Sequence, residues 1–397
     1  MIPRHLAGIV QRAATRYPVV SVNGPRQSGK KTLLRSAFPQ HRYVSLEAPD
    51  ERTFALEDPR GFLGRFDGPV ILDEAQRAPD LFSYIQTIVD DDPAPGRFLL
   101  SGSRNFLLMQ KVSQSLAGRV RLTCLLPFSL AELTRRDAPT MAELLTRGAR
   151  DPVTAGAWTD HAVRGFYPRI HDLGLDPSEW LAQYFQTYLE RDVRDLTQVG
   201  DLEAFGRFVR LCAGRAGGLL NLSGLGNDCG VSHDTARRWL SVLEASFVIF
   251  RLQPYHRRFN KRLTKRAKLC FVDTGMLCWL LRIRDADQLA SHAARGAVFE
   301  NLVIAEALKV GCNAGEPPDL YHWRDPRDNE IDLIVDTPDG PHAVEMKSGE
   351  TVAGDFFKGL AHWRSLAGRS APATLVYGGG ESYLRNEVDV RAWRDWM

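Results

Sequence analysis

No continuous apolar stretch of membrane-spanning length occurs in this chain. None of its 397 residues falls in a window of about 18 apolar residues. The first residues, Met1 to His5, open an amphipathic segment that lacks the apolar core of a signal peptide. We therefore expect a protein that is soluble and not exported, with no membrane partner.

Cysteine is sparse and scattered. The six cysteines form no Cys-x-x-Cys pair and have no histidine clustered beside them. This pattern fits neither a zinc site nor a disulfide scaffold, and it favours a reducing compartment. The expected location is the cytoplasm.

A large excess of charge of one sign is also missing. Lys and Arg number 51 and Asp and Glu number 48, so the formal net charge is +3. Any nucleic-acid surface must therefore come from local clustering of basic residues, not from the bulk charge. The length predicts about two to four domains of roughly 100 to 200 residues each, enough for several full cores.

The most informative stretch is a glycine-containing loop between an apolar run at 19–22 and a helix start. It comprises Gly24, Pro25, Arg26, Gln27, Ser28, Gly29, Lys30, Lys31 and Thr32. Backbone N–H groups of such a loop surround phosphate oxygens, its lysine reaches the β- and γ-phosphates, and the following helix adds its positive dipole end. The pattern predicts a nucleotide site, with an ordinary strand-to-helix turn as the alternative.

One position of this loop departs from the usual pattern. The residue after Lys30 is normally Ser or Thr, whose hydroxyl ligates Mg²⁺, and here it is Lys31. Thr32 comes one residue late, and because a helix turns about 100° per residue its hydroxyl should point elsewhere. We expect a nucleotide to bind but to be hydrolysed slowly or not at all. Lys31 itself either contacts phosphate or turns to solvent.

Three further positions are candidates for the same site. The apolar run at 69–72 ends in Asp73, a candidate metal ligand, and Glu74, a candidate for polarising the attacking water; acids at a helix N-terminus are the alternative. The run at 97–101 leads to Ser103, a candidate sensor of the γ-phosphate, with Asn105 as a second one. Arg119 is a candidate arginine finger or, alternatively, a surface arginine at a strand edge.

The segments GPRQSGKKT, ILDEAQ, SGSRNF and AGRVRLTCLLPFSLAE together resemble AAA-type ATP-binding proteins, and specifically a prokaryotic family of uncharacterised ATPases. The resemblance implies a parallel sheet with the loop strand central, and ATP as the nucleotide. Lys31 departs from it, because the family loop has Thr there. We assign residues 1–135 to this ATPase core and residues 136–200 to a linker and helical lid.

Residues 201–283 predict a winged helix-turn-helix. A short helix, a turn containing Gly230 and a helix capped by Ser232 form the pattern, and the run from Arg257 to Lys268, with seven basic residues in twelve, follows as a wing. The candidate DNA contacts are Ser232, His233, Thr235, Arg237, Arg238, Arg257, Arg258, Lys261 and Arg262. A wing that contacts only protein, a nucleotide or its own chain is the alternative.

Residues 284–397 predict an αβββαβ domain. Glu345 and Lys347 share one face of a strand because side chains repeat every second residue, and Asp332 precedes them on the neighbouring strand. Two carboxylates and a lysine can hold Mg²⁺ and stabilise a water that attacks a phosphodiester. The constellation resembles the PD-(D/E)xK nuclease superfamily, with Glu300 matching its helix acid. Superfamily members that bind without cutting are the alternative.

The expected fold class is α/β: an AAA-type parallel sheet, a helical linker, a winged helix-turn-helix and a PD-(D/E)xK-like domain. The expected function is nucleotide-dependent action on DNA, with ATP bound, Mg²⁺ in question at the ATP site, and a candidate metal-dependent nuclease site. The alternative is a nucleotide-sensing regulator that binds DNA or protein without catalysis. A homo-oligomer or a protein partner is left open.

Overall fold

The structure, a computed structural model, describes residues 2–103, 116–148, 156–188, 201–256 and 266–396. They form two compact units. The first comprises Met1–Phe128, Ala245–Phe247 and Gly311–Pro317, and the second comprises Ser129–Glu244, Val248–Val310 and Pro318–Met397. None of the described helices has the length and apolar content that crossing a bilayer requires.

The first unit is built on a five-stranded sheet. Its strands are β1 (Val19–Asn23), β2 (Arg42–Ser45), β3 (Val70–Asp73), β4 (Phe98–Gly102) and β5 (Val120–Cys124), all parallel in the order β2-β3-β4-β1-β5. The loop strand β1 is interior, and β4 is inserted between it and the acidic strand β3. The predicted parallel sheet is confirmed.

Side chains along these strands alternate between the two faces of the sheet, and those on each face pack into a separate hydrophobic core. Val19, Leu72 and Leu100 pack into one core, and Val20 and Ile71 pack into the other. Because both faces are covered, the strands read as continuous apolar runs. The helices of this unit are α1 (Leu6–Ala14), α2 (Lys30–Ala37), α3 (Pro49–Glu57), α4 (Pro59–Gly64) and α5 (Leu81–Asp91), with a 3₁₀ turn at Ala75–Arg77.

The second unit begins with short helices and then forms a helical pair with a tight turn. Its first helices are α6 (Leu130–Leu133), α7 (Met141–Leu145), α8 (Trp158–Arg164), α9 (Pro168–Asp172), α10 (Pro177–Tyr188), α11 (Leu202–Ala213), α12 (Leu222–Cys229) and α13 (His233–Ala245). Gly230 ends α12 in the left-handed region at φ 74°, and Ser232 Oγ accepts a 3.1 Å hydrogen bond from the Thr235 amide. These are the turn and the cap that the sequence predicts.

Aromatic packing fixes the angle between these helices. The Trp239 ring of α13 lies edge-on to Phe205 and Phe208 of α11, with centroids 5.3 and 5.4 Å apart. Such pairs add to the hydrophobic burial of the rings. One face of α13 is therefore buried in the core, and the opposite face is exposed.

The second unit also contains an eight-stranded mixed sheet. Its strands are β6 (Ile249–Pro254), β7 (Lys268–Phe271), β8 (Leu320–Arg324), β9 (Glu330–Thr337), β10 (Gly340–Lys347), β11 (Ala373–Tyr377), β12 (Tyr383–Arg385) and β13 (Val388–Ala392), in the order β12-β13-β11-β10-β9-β8-β6-β7. The remaining helices are α14 (Thr274–Leu280), α15 (Ala286–Ser291), α16 (Arg295–Asn313), α17 (Lys358–Ala367) and α18 (Trp393–Trp396), with a 3₁₀ turn at Gly354–Phe357.

The predicted order αβββαβ is present as α16, β8, β9, β10, α17 and β11. The sheet, however, extends past the boundary that we predicted at residue 283. Strand β6 pairs in parallel with β8 through Gln253 and Pro254, and β7 pairs with β6 in antiparallel orientation. The strands that we assigned to the wing region thus continue the C-terminal sheet, with β7 at its edge, because their backbone groups need sheet partners when the strands are buried.

Candidate functional site

Two glycines shape the loop that follows β1. A Cβ on Gly24 would lie 2.0 Å from the carbonyl oxygen of Leu125, so only glycine allows this close approach. Gly29 precedes α2 at φ 93°, a conformation that favours glycine. The local backbone therefore takes the tight path that the sequence pattern predicts.

The side chain of Lys30 turns back into this loop. Its Nζ donates hydrogen bonds to the carbonyl oxygens of Gly24, at 2.9 Å, and Pro25, at 2.7 Å, and the residue is buried. Burial lowers the pKa of Lys30 below its ordinary value, and the nearby carboxylates of Glu74 and Asp73 partly offset this. The predicted phosphate-binding lysine thus lies close to both predicted carboxylates.

Glu74 follows β3 with a left-handed backbone, at φ 54°. Its Oε2 accepts a 2.8 Å hydrogen bond from Ser103 Oγ and another from Gln76 Nε2. Burial raises the pKa of Glu74, but the charges of Lys30 and Arg26 and these two hydrogen bonds outweigh it and hold the pKa below its usual value. Glu74 is therefore an ionised, oriented carboxylate next to the loop.

Asp73 is held by hydroxyl groups from two neighbouring strands. The Tyr43 hydroxyl of β2 donates to Oδ2 at 2.6 Å, and the Ser101 hydroxyl of β4 donates to Oδ1. Tyr43 and Ser101 were not among our candidates, and neither was Gln76. Only the strand order, which places β3 between β2 and β4, brings Tyr43 and Ser101 beside Asp73.

The departure at Lys31 has a clear structural outcome. Lys31 is exposed, and its Nζ lies 4.9 Å from the centre of the Tyr43 ring, a cation–π distance. Thr32 is also exposed. The side chain of Lys31 thus lies on the surface, against the Tyr43 ring.

The remaining loop residues differ in their surroundings. Ser28 is fully buried, and its Oγ has no hydrogen-bond partner among the described residues. Gln27 is exposed at φ 63°, and Arg26 Nη1 lies 3.8 Å from Glu47 Oε1. A buried hydroxyl with an unused donor in a loop of this shape fits a phosphate ligand.

Arg4 supports the loop from the N-terminal segment, and sequence reasoning missed it. Its Nη1 donates to the Ser28 carbonyl at 2.5 Å, and its Nη2 donates to the Leu126 carbonyl at 2.7 Å. The guanidinium also lies 4.8 Å from the centre of the Phe128 ring. Arg4 therefore ties the loop to the segment that follows β5.

Arg119 does not take the role of an arginine finger for the loop of its own chain. It precedes β5, its carbonyl accepts from the Val19 amide at the start of β1, and its side chain pairs with Asp90. The phosphate loop follows the other end of β1, and a five-residue strand spans roughly 16 Å. The predicted alternative, a surface arginine at a strand edge, describes it.

The candidate DNA contacts on α13 are presented to solvent. Ser232, His233, Arg237 and Arg238 are exposed and Thr235 is half-buried. Arg237 Nη1 lies 3.7 Å from the Asp234 carboxylate, an exposed pair of little energetic weight. Arg257, Arg258, Lys261 and Arg262 lie outside the described residues, as does Asn105.

In the second unit, three carboxylates converge on one lysine. Nζ of Lys268 lies 2.7 Å from Glu300 Oε1, 2.5 Å from Glu330 Oε1 and 3.6 Å from Asp332 Oδ1. We counted Lys268 among the basic residues of the wing, whereas its side chain is only 2% exposed. Glu330 was not a candidate either, although it is two residues before Asp332 on the same strand face.

Glu345 and Lys347 complete this cluster. Lys347 Nζ donates to Glu345 Oε1 at 2.6 Å, and Asp332 Oδ2 accepts from the Met346 amide at 2.9 Å. Burial and the charge of Asp332 raise the pKa of Glu345 to about 8, and burial likewise raises that of Glu300 to about 7. The predicted grouping of Glu300, Asp332, Glu345 and Lys347 is therefore observed.

The predicted metal ligands of this cluster, Asp332 and Glu345, each lie beside an ammonium group, that of Lys268 for Asp332 and that of Lys347 for Glu345. Within the described ranges, no group of three or more His, Cys, Asp or Glu side chains is arranged to hold a metal ion. The ammonium of Lys268 lies among the carboxylates instead. The sequence could not show this, because Lys268 comes from a distant edge strand.

Three family models match successive segments of the chain. Residues 16–134 match the AAA domain family, residues 156–287 match a domain of unknown function (DUF8612), and residues 295–394 match another (DUF4143). A solved structure, the Walker-type ATPase PABY2304 of Pyrococcus abyssi, is 14% identical and covers 71% of this chain and 96% of its own, with a TM-score of 0.44.

Two relatives are similar over most of their length. The uncharacterized proteins Rv2008c of Mycobacterium tuberculosis and Mb2031c of Mycobacterium bovis are each 33% identical over 353 residues, which is 88% of this chain and 74% of theirs. The chain therefore belongs to the family of these two mycobacterial proteins, and its N-terminal region is an AAA-type P-loop domain.

Proposed function

We propose that this protein binds ATP at the loop of its AAA domain and acts on DNA in a nucleotide-dependent way. One observation carries the ATP site: the buried Lys30 lies beside the carboxylates of Asp73 and Glu74, with Ser103 bonded to Glu74. These residues follow three neighbouring parallel strands at the same sheet edge, which is where ligands of such sheets bind.

Each residue has a role that its chemistry supports. Lys30 and the Ser28 hydroxyl would donate to phosphate oxygens, with the loop amides around them. Glu74, kept ionised by its neighbours, would orient a water, and Ser103 would link Glu74 to the bound phosphate. Bound ATP supplies the phosphoryl group whose transfer to water is the candidate reaction.

Mg²⁺ would depend on Asp73 in this site, because the loop hydroxyl that normally ligates it is replaced by Lys31. Both Asp73 oxygens accept hydrogen bonds from hydroxyl groups. A carboxylate oxygen can accept more than one bond, so Asp73 keeps capacity for a hydrated ion. We propose Asp73 as the metal ligand that remains in this chain.

Titration of the purified chain with a fluorescent ATP analogue tests the site. Lys30→Ala should weaken binding about ten- to a hundredfold, since a charge-assisted hydrogen bond is worth roughly 1.5 to 3 kcal/mol. Lys358→Ala, which removes an exposed lysine, is the control and should bind like the parent. Unchanged affinity in Lys30→Ala would overturn the assignment of the loop.

We place DNA binding on the exposed face of α13, through Ser232, Thr235, Arg237 and Arg238. A capped helix that follows a tight turn and carries exposed arginines is the arrangement in which a recognition helix meets a duplex. The basic residues Arg257, Arg258, Lys261 and Arg262 would add contacts to phosphate. Salt-dependent binding of a duplex by the full chain is the direct test.

A metal-dependent nuclease role would fall to the C-terminal cluster. The four predicted side chains lie in one cluster: Glu300, Asp332, Glu345 and Lys347. Lys268, however, occupies the position that a metal cation would need. If the chain cuts DNA through this cluster, Asp332→Ala and Lys347→Ala should each abolish cutting and leave duplex binding intact. Cutting that persists in both variants would exclude the cluster.

A nucleotide-sensing regulator without catalysis is the second candidate. Lys31 in the loop and Lys268 in the carboxylate cluster both favour it. Lys31 replaces the hydroxyl that normally ligates Mg²⁺, and Lys268 puts an ammonium group where metal-dependent chemistry needs the cation itself. ATP turnover of the purified chain, with and without duplex DNA, separates the two. Glu74→Gln should abolish any turnover while nucleotide still binds.

A further inference from the structure

We propose that Lys268 is the resident cation of the C-terminal carboxylate cluster, so that this cluster is a latent metal site closed by the chain's own ammonium group. The proposal goes beyond the ATP and DNA functions and does not depend on them. It explains why residues grouped as in a metal-dependent nuclease do not form a metal site in the described part of the chain.

The geometry of Lys268 is that of a cation in a ligand cage. Its Nζ reaches oxygens of Glu300, Glu330 and Asp332 at 2.7, 2.5 and 3.6 Å, and its side chain is 2% exposed. An ammonium group has three protons to donate and no acceptor. Three carboxylates from two different elements, α16 and β9, therefore share one positive charge at a single point.

Lys268 is also fixed by the backbone around it. The Leu220 amide donates to the Ala267 carbonyl at 2.8 Å, and the Leu269 amide donates to the Gly218 carbonyl at 3.1 Å. On α16, directly after Glu300, the Asn301 side chain bonds both the amide and the carbonyl of Phe271, at 2.7 and 2.8 Å. Strand β7 is thus tied to the helix that carries Glu300, and this fixes the backbone of Lys268 relative to that carboxylate.

Charge balance favours the lysine over an added ion. Buried carboxylates need a compensating positive charge, and Lys268 supplies it to Glu300, Glu330 and Asp332. Lys347 pairs with Glu345, and Arg324 Nη1 lies 3.3 Å from the second Glu330 oxygen. A divalent ion within a few ångströms of the fixed ammonium would be repelled by it.

Removing the ammonium would leave a set of oxygen ligands. Glu300, Glu330 and Asp332 would each regain an oxygen now bonded to Lys268, and Oε2 of Glu345 is buried without a hydrogen-bond partner in the described residues. Glu345 is 9% exposed. Carboxylate oxygens, together with water, are ligands that Mg²⁺ and Mn²⁺ prefer, so the position that Lys268 leaves should accept either ion.

The test titrates Mn²⁺ into the full chain without nucleotide, with free Mn²⁺ read by electron paramagnetic resonance. Lys268→Met, which keeps the length of the side chain and removes its charge, should gain one Mn²⁺ site bound on the order of tenfold or more tightly than any site in the parent. Asp332→Asn in the Lys268→Met background should remove that site. A folded Lys268→Met chain that gains no Mn²⁺ site overturns the proposal.

Lys309→Met is the matched control. Lys309 is a lysine of the same unit, 1% exposed, whose Nζ lies 2.7 Å from Glu306 Oε1. Its removal also leaves a buried carboxylate without its ammonium, but the ion pair there is with the single carboxylate of Glu306, and the nearby Asp273 carboxylate is held by the amides of Phe166 and Met276. It should gain no Mn²⁺ site, and a gain equal to that of Lys268→Met would overturn the proposal.

The parent chain tests the proposal even where Lys268→Met does not fold. The parent and its Asp332→Asn and Glu345→Gln variants should bind the same number of Mn²⁺ ions, because the cluster holds none while Lys268 is present. Mn²⁺ binding in the parent that either variant reduces by one site would show that a divalent ion occupies the cluster beside Lys268, and the proposal would be wrong.

Discussion

The Tyr43 hydroxyl donates a 2.6 Å hydrogen bond to Oδ2 of Asp73. In loops of this type, the residue after the lysine normally brings a hydroxyl group to the metal. That position is Lys31 here, and its ammonium lies over the Tyr43 ring. The same side chain therefore contacts both groups: its hydroxyl bonds the Asp73 carboxylate and its ring meets the Lys31 ammonium.

The first prediction concerns Lys31. Lys31→Thr should raise ATP turnover and make nucleotide binding depend on Mg²⁺, because it restores the hydroxyl beside Asp73 and Glu74 that the metal requires. Lys31→Met removes the charge without adding the hydroxyl, and it should raise neither. Steady-state phosphate release, measured with and without Mg²⁺, is the readout. A parent chain that hydrolyses ATP as fast as Lys31→Thr would show that this departure has no effect.

The second prediction concerns Tyr43. Tyr43→Phe removes a hydrogen bond to a charged acceptor, an interaction worth roughly 1.5 to 3 kcal/mol in partly buried sites. It should lower the unfolding temperature of the nucleotide-free chain more than Tyr17→Phe does. Thermal denaturation followed by circular dichroism measures both. Equal unfolding temperatures for the two variants would mean that the Tyr43–Asp73 bond contributes no net stability.

The third prediction concerns the exposed arginines of α13. Arg237→Ala with Arg238→Ala should weaken duplex binding and flatten its salt dependence by roughly one unit for each arginine that no longer meets a phosphate. Arg207→Ala, an exposed arginine of α11 paired with Glu203, is the control. Affinities measured from low to moderate salt give the slope. If the slope and the affinity match those of the parent, DNA that binds the chain does so at a surface other than α13.

The fourth prediction separates a DNA-facing wing from a protein-facing one. Neutralising two or three of Arg257, Arg258, Lys261 and Arg262 should weaken binding similarly on all duplex sequences, because contacts to phosphate carry no sequence information. Fluorescence anisotropy with two unrelated duplexes gives the comparison. Unaltered affinity at low salt would instead favour a surface that meets protein.

The fifth prediction uses pH. His322 is fully buried beside Lys268, and burial lowers its pKa to about 4, with a further contribution from the lysine charge. Its Nε2 lies 3.0 Å from the Arg266 carbonyl, so the neutral ring donates there. In the unfolded chain His322 takes up a proton near pH 6.5, whereas in the folded chain it takes one up only near pH 4. Stability is therefore complete above about pH 6.5 and falls as the pH drops towards 4.

The size of this effect follows from the shift. Between pH 7 and pH 5, His322 should cost about 2 kcal/mol of folding free energy. In His322→Gln the unfolding temperature should fall less over this interval, by on the order of 4 °C, than in the parent. His292→Gln, an exposed histidine, is the control. The same pH dependence in His322→Gln and the parent would contradict the assignment.

The ATP site could be predicted from the sequence to a large extent because its parts are local. The loop is one contiguous stretch, Asp73 and Glu74 are adjacent, and the carboxyl ends of parallel strands meet at one edge. Tyr43 and Ser101 could not be found in this way. Their contact with Asp73 depends on the order of three strands, which short motifs do not encode.

Lys268 shows a second reason why part of the structure could not be predicted from the sequence. In a run of seven basic residues, every lysine reads as solvated or bound to phosphate, since burial of one among carboxylates depends on partners far away along the chain. The position of Arg119 relative to the phosphate loop of its own chain could not be predicted for a related reason. Its neighbours in sequence do not tell which end of a strand faces the phosphate loop, and the register of β5 against β1 decides it.

The hydrogen bonds from Lys30 to the carbonyls of Gly24 and Pro25 make the loop its own competitor. ATP competes for Lys30 with these two carbonyl oxygens, which are present in every molecule. The apparent affinity is then the intrinsic one reduced by the fraction of molecules in which the lysine is free. Substitutions that loosen this self-bonded state without touching the lysine should tighten nucleotide binding, because the strength of these two hydrogen bonds enters the apparent affinity.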